Sequence, residues 1–399
     1  MRILIIILLF SVQSFGQTVG FLPIYTAPSG GPYPATYEGV IYDDGYYNGF
    51  AFTDTLSNGD IFSVHKKSGS HADKGPMIIL KSSDGGVTNS VSRVVVSGDS
   101  IECSALSMCR LASGRILIAY QDDETYTYIK FAYSDNEGVS FTYTDSLNFG
   151  SGYSTSPSPV KMLVMPSGKI RMGYYAYGLG ANPAIVGFLS STDNGENWAV
   201  ADTIFSHGGT GLGDDKGHEF AFVITDNTGI DSTCKMIAMI RNADRGCCYM
   251  HYYSADGGTT WNTSFTEDAG AGGPYSRHFF YKFGSATTTA PMDLIEHNDS
   301  IYMITGYRQP SPTVFYAVKI IRASKADAYT NIFSNWVGLD TLRSYNAETL
   351  GSEIDCGYPV FFKNRLGELW ARDYDVSTET RDPLLTEDRC WIYQFKIAD

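Results

Sequence analysis

Side chains able to do acid–base or metal chemistry rarely fall into short patterns in this 399-residue chain. His65 and His71 lie six residues apart, and His71-x-Asp73 adds a carboxylate, but no third ligand follows at a spacing that would hold a metal. His71 and Asp73 therefore read as a polar loop pair able to move a proton or hydrogen-bond a ligand. Glu219 opens an apolar strand in Gly217-His218-Glu219-Phe220-Ala221-Phe222, an unusual place for a carboxylate. Arg241 and Arg308 each end an apolar run, and arginine is the side chain whose planar, permanently charged fork matches a carboxylate. No phosphate loop, dinucleotide fingerprint or Ser-His-Asp arrangement is visible, so no cofactor is expected.

The elements that must position these groups are announced by a repeat. The pattern Ser-x-Asp-x-Gly-x-Thr/Ser-Trp/Phe starts at Ser82, Ser134, Ser191 and Ser254, with a worn fifth copy at Ser324-Lys325-Ala326-Asp327. Asp84, Asn136, Asp193 and Asp256 hold the acidic place, Asn standing for Asp in the second copy. Such an Asp accepts N–H bonds from the residues just after it, the glycine takes a positive φ, and the aromatic residue plugs into the sheet behind. Each copy thus marks a β-hairpin. Around each copy the same order of apolar runs recurs. The second strands begin at Gly59, Gly114, Gly168, Cys234, Ser300 and Gly367. Six units of four strands predict an all-β, six-bladed β-propeller of four-stranded antiparallel blades, with the turns on the outside. The closing strand falls at Trp391–Ile397, near the blade that begins the chain.

Composition fits: 41 Gly, 28 Tyr and 22 Phe with 18% charged residues suit short strands and tight turns. The formal net charge of −14 argues against nucleic acid as a partner, yet a few placed arginines can still make a locally positive pocket. Residues 1–16 read as a signal peptide: Arg2, an apolar core from Ile3 to Phe10, and Ser14-Phe15-Gly16 before Gln17. The apolar run is too short for a stable membrane anchor, so a secreted or periplasmic location is expected. Residues 17–399 then form one propeller domain. Export makes the seven cysteines disulfide candidates, one at least unpaired. Cys356 and Cys390 bracket the first and last strands of the sixth blade, and Cys234 with Cys247 or Cys248 would bridge a hairpin.

Asp boxes on six four-strand units resemble the sialidase (neuraminidase) superfamily, with its BNR (Asp-box) repeats, over nearly the whole mature chain. The resemblance implies a glycoside hydrolase for an acidic sugar, sialic acid or a relative. It works through a tyrosine nucleophile activated by a glutamate, with an aspartic acid as proton donor and arginines on the sugar carboxylate. It assigns Tyr358, in Asp355-Cys356-Gly357-Tyr358-Pro359, to the nucleophile, with Pro359 where the family has serine. Glu219 is matched to the activating glutamate, Asp73 to the acid, and Arg241 and Arg308 to the second and third arginines. His71 is an extra acid, base or sugar ligand. The family opens blade one with Arg-Ile-Pro, whereas here Tyr47-Asn48-Gly49-Phe50-Ala51-Phe52 has neither arginine nor proline. The clamp lacks a member, and Arg277 is the loop arginine available to replace it. Two alternatives stand beside the hydrolase. One is a lyase of acidic polysaccharide, using His71 and Tyr358 with Arg241 and Arg308; the other is a noncatalytic glycan-binding propeller.

Overall fold

The computed structural model describes residues 36–42, 47–68, 75–84, 89–93, 103–122, 127–144, 146–158, 160–179, 182–207, 217–242, 249–262, 288–309, 315–330, 335–346, 358–376 and 390–397. Their strands form six antiparallel sheets, the six blades of a propeller. Blade one runs outward through Tyr47–Thr55, Ile61–Ser68, Met77–Ser82 and Ser90–Arg93. Blade five repeats that order with Thr288–His297, Ser300–Gln309, Phe315–Ser324 and Val337–Asn346. Two blades depart from four unbroken strands. In blade two the outer strand is split into Thr142–Tyr143 and Leu147–Asn148, both paired to Tyr128–Ser134. In blade three the inner strand is split into Tyr153–Pro157 and Leu163–Val164, both paired to Ile170–Gly178. Three strands of blade four are described: Gly217–Asp226, Lys235–Asn242 and Tyr249–Ser254.

Blade six joins the chain's two ends. Val360–Lys363, Leu369–Val376 and Cys390–Lys396 are followed outward by Thr36–Tyr42, so the outermost strand comes from the N-terminal side. The strand expected to close the ring is the third of its blade, and the first described strand completes it. Building one blade from both sides of the sequence ties the last blade to the start of the first.

The turns follow their local chemistry. At Asp193, the carboxylate Oδ1 accepts the Asn197 N–H at 2.9 Å, and the Ser191 hydroxyl donates to the same carboxylate while accepting the Gly195 N–H at 2.9 Å. Asp256 and Asn136 repeat these bonds with Thr260 and Ser140. Gly195 (φ 85°), Gly258 (φ 84°) and Gly138 (φ 79°) take the left-handed backbone that the tight reversal requires. The aromatic residue packs on the neighbouring blade: Trp198 stacks on Phe131 of blade two at 4.8 Å, and Trp261 on Phe188 of blade three at 5.7 Å. The fifth copy is different. Ser324 caps a short helix, Lys325–Tyr329, by accepting the Asp327 N–H, so helix replaces the hairpin turn.

Inter-blade latches surround the axis. The Ser158 hydroxyl joins blade three to Phe220 of blade four (2.6 and 2.8 Å), and Asp293 of blade five accepts the Phe361 N–H of blade six at 2.8 Å. Thr55 of blade one donates to the Lys363 carbonyl of blade six at 2.6 Å. Apolar clusters fill the gaps between blades: one contains Val186, Phe220, Met236, Met303 and Trp336, and another Phe52, Val64, Leu106, Ile118 and Val360.

One cysteine expectation is overturned. Cys109 and Cys234 are buried free thiols. Cys234 precedes the second strand of blade four, while the third strand starts opposite Arg241 at the far end. With Cys234 a free thiol, the expected bridge to Cys247 or Cys248 is not formed; those two residues lie outside the described part. Cys356 lies outside the described residues, so its pairing with Cys390 is left as an expectation.

Candidate active site

Four blades share one irregularity at the same end of the axis. Between inner and second strand, the register slips by one residue at Gly49/Phe52, Cys103/Leu106, Gly217/Phe220 and Thr289/Met292. Each slip is a β-bulge in which two inner-strand residues oppose one on the second strand, and a bulge re-aims side chains at a strand end. In blade four the bulged pair is His218-Glu219 and the opposed residue is Arg241, because Gly217 pairs with Asn242 and Phe220 with Ile240. The bulge thus turns a carboxylate onto a guanidinium: Arg241 Nη1 donates to Glu219 Oε2 at 2.7 Å.

Tyr358 completes the group from blade six, just before Val360–Lys363. Its hydroxyl donates to Glu219 Oε1 at 2.6 Å across 139 residues of sequence. Both are buried, Tyr358 at 7% and Glu219 at 6% exposure. Glu219 therefore receives a phenol on one oxygen and an arginine on the other. Burial pushes the Tyr358 phenol well above its ordinary pKa; the neighbouring Glu219 charge adds to this, and Arg241 opposes it. The resting phenol is protonated and hydrogen-bonded to the Glu219 carboxylate.

A second phenol was not singled out from sequence. Tyr175 lies on the second strand of blade three, half-buried, with its ring edge-on to Tyr177 at 5.5 Å. It is paired in register with Ser156, whose side chain hydrogen-bonds it; burial first, and then the Glu219 charge, raises its pKa. A signal for it was present. Tyr175 stands as far beyond Gly168 as Arg241 stands beyond Cys234, the starts of their second-strand runs.

Of the residues proposed from sequence, Tyr358, Glu219 and Arg241 meet. Arg308 is the penultimate residue of Ser300–Gln309, opposite Thr288 at the same end of blade five as Arg241 in blade four; its side chain lies outside the described part. Asp73, His71 and Arg277 lie outside the described residues. In blade one, at the same end, Asn48 and Lys66 are fully buried, and the bulged Phe50-Ala51 pair opposes His65. The strand carries no arginine. Among the described residues, no cluster of His, Cys, Asp or Glu could hold a metal ion, and no helix is long and apolar enough to cross a membrane.

No protein-family model and no curated protein matches the sequence. Solved structures do. A protein of unknown function from Dyadobacter fermentans aligns at TM-score 0.65 and 15% identity, covering 92% of this chain and 99% of that one. The Hadza microbial sialidase Hz136 aligns at 0.58 and 12% identity, over 88% of this chain and 66% of its own. The chain has a sialidase-like propeller fold. The intramolecular trans-sialidase from Ruminococcus gnavus aligns at 0.53 and 13% identity, over 89% and 96%. At such identities the likeness is one of fold, and the chemistry of this sialidase-like propeller rests on its own side chains.

Proposed function

We infer that the protein is an exported glycoside hydrolase acting on an acidic sugar, with sialic acid or a close relative as substrate and Tyr358 as nucleophile. The observation that carries this reading is the hydrogen bond of Tyr358 to Glu219 at 2.6 Å, with Arg241 on the other carboxylate oxygen. A phenol is a poor nucleophile at neutral pH and needs a base within this reach. A neutral phenol also suits an anionic substrate, because the nucleophile itself sets no charge against the sugar carboxylate in the ground state.

In the first step Glu219 Oε1 takes the Tyr358 proton and the phenolic oxygen bonds to the anomeric carbon. The bond from that carbon to the aglycone oxygen breaks, its electron pair stays on the oxygen, and an acid, assigned to Asp73, supplies the proton. In the second step water attacks the anomeric carbon, a base takes the water's proton, and the tyrosine oxygen leaves and regains its proton from Glu219. Arg241 and Arg308 hold the carboxylate. Two of the structures sharing the fold are of a sialidase and a trans-sialidase, which supports this substrate class.

The test is hydrolysis of an aryl sialoside beside a panel of acidic polysaccharides. Release of the aryl group, lost in Tyr358→Phe, is expected. New unsaturated ends on a polysaccharide would make the protein a lyase. Glycan binding with no turnover would make it a binding module.

A further inference from the structure

The resting geometry presents a conflict that a carboxylate clamp alone leaves unexplained. Arg241, which the hydrolase reading gives to the substrate, is already spent on Glu219 at 2.7 Å. The same carboxylate must accept the Tyr358 proton, and an ion-paired carboxylate is a weaker base. Glu219 is fixed, since its strand is bulged and its side chain is 7% exposed; Arg241 lies at a strand end on a long, flexible stem with its side chain 20% exposed. The member of the pair able to move is the arginine.

We propose that Arg241 is a catch on the general base: paired to Glu219 in the empty site, it is drawn off by the carboxylate of an acidic sugar, and the freed Glu219 then takes the Tyr358 proton. Substrate binding exchanges one carboxylate for another on Arg241, so the charge on the guanidinium stays neutralised throughout. The proton then moves from Tyr358 Oη to Glu219 Oε1 as the phenolic oxygen bonds to the anomeric carbon and the aglycone leaves with a proton from the acid, as in the first step of hydrolysis. The inference rests on the hydrolase reading and adds to it that the sugar's charge is a trigger as well as a handle. A neutral sugar of the same shape would occupy the site and leave the base restrained. A ligand shifts such an equilibrium only by its unequal affinity for the two arrangements, and the carboxylate provides that inequality.

The experiment compares an aryl sialoside with its methyl ester, which keeps the ring and leaving group and removes the charge. The wild-type enzyme should turn over the ester with kcat about 100-fold below that of the acid, a loss of the size general-base catalysis supplies. Arg241→Met should slow the sialoside but raise kcat for the ester about tenfold over wild type. Arg241→Lys, which keeps a cation beside Glu219, should leave the ester slow. An ester kcat in Arg241→Met at or below the wild-type value, in a variant of unchanged circular dichroism, would overturn the proposal. So would a wild-type ester defect confined to KM, a result that needs no variant to fold. A wild-type protein inert toward the sialoside overturns the hydrolase reading and this inference with it, whereas an active enzyme failing the ester comparison overturns the inference alone.

Discussion

The Tyr358 hydroxyl donates to Glu219 although 139 residues separate them, and the pair makes sharp demands on substitution. Tyr358→Phe keeps the ring and its packing against Val360 and the blade-one and blade-two core, and removes only the oxygen. Aryl sialoside turnover should fall on the order of 10³-fold or more, while binding of an unreactive, carboxylate-bearing analogue, measured calorimetrically, should persist. Loss of binding in parallel with turnover would mean a packing role instead. Asp293 tests residue-scale electrostatics at the opposite end of the axis, where it lines a cavity of about 380 Å³ with Lys161, Glu296 and Lys363. Burial pushes its carboxyl up to about 6, although the Phe361 and Leu294 N–H groups pull the other way. A carboxyl whose folded pKa is raised favours the fold while protonated. Its contribution is therefore complete below about pH 4 and is lost as the pH rises through about 6. Melting temperatures of wild type and Asp293→Asn should accordingly show a wild-type loss between these values that the variant lacks.

At the scale of elements, the turns and the bulges do different work. The Asp193 carboxyl is lowered to about 2, first by the Asn197 N–H and then by its side chain. A depressed pKa stabilises the fold above the unfolded value, and that contribution is lost as the pH falls from about 4 through about 2. Asp193→Ala should cost about 1–3 kcal/mol at neutral pH, read by denaturant unfolding. Asp193→Asn should cost less, since Asn136 makes the corresponding bond to the Ser140 N–H in blade two, and its difference from wild type should vanish in acid. These turns were legible because their chemistry is local and repeated. The bulges were not, since a register slip depends on two strands at once. The helix at Lys325–Tyr329 was missed for a related reason: Ser324 and Asp327 satisfy a helix N-cap as readily as a turn, and the glycine that would favour the turn is absent.

At the scale of the molecule, the ring is held by pairing Thr36–Tyr42 with Cys390–Lys396. Deleting residues up to 42 would strip the outer strand from blade six and expose Cys390–Lys396 as an unpaired edge. The expected result is a lower melting temperature and concentration-dependent aggregation by light scattering; an unchanged, monomeric protein would show that blade six is stable without the strand. The acidic balance of the chain gives this ring a negative surround, so on the hydrolase reading capture of an acidic sugar depends on a locally placed cation such as Arg241.

The sequence by itself determined what local chemistry can encode. The repeated Ser-x-Asp turns and the alternation of apolar runs specified a six-bladed propeller, and the resemblance to sialidases, followed position by position along the blades, marked Tyr358, Glu219 and Arg241 out of many similar residues. Tertiary structure decided which of their atoms meet. The bulge between Gly217 and Phe220 turns Glu219 onto Arg241, and closing the ring brings blade six close enough for Tyr358 to reach the same carboxylate. It also brought in Tyr175, one tyrosine among 28. The physical reason is one of range. A turn is fixed by hydrogen bonds within five residues, whereas the sharing of one buried carboxylate by a phenol and a guanidinium depends on where two separate blades come to rest.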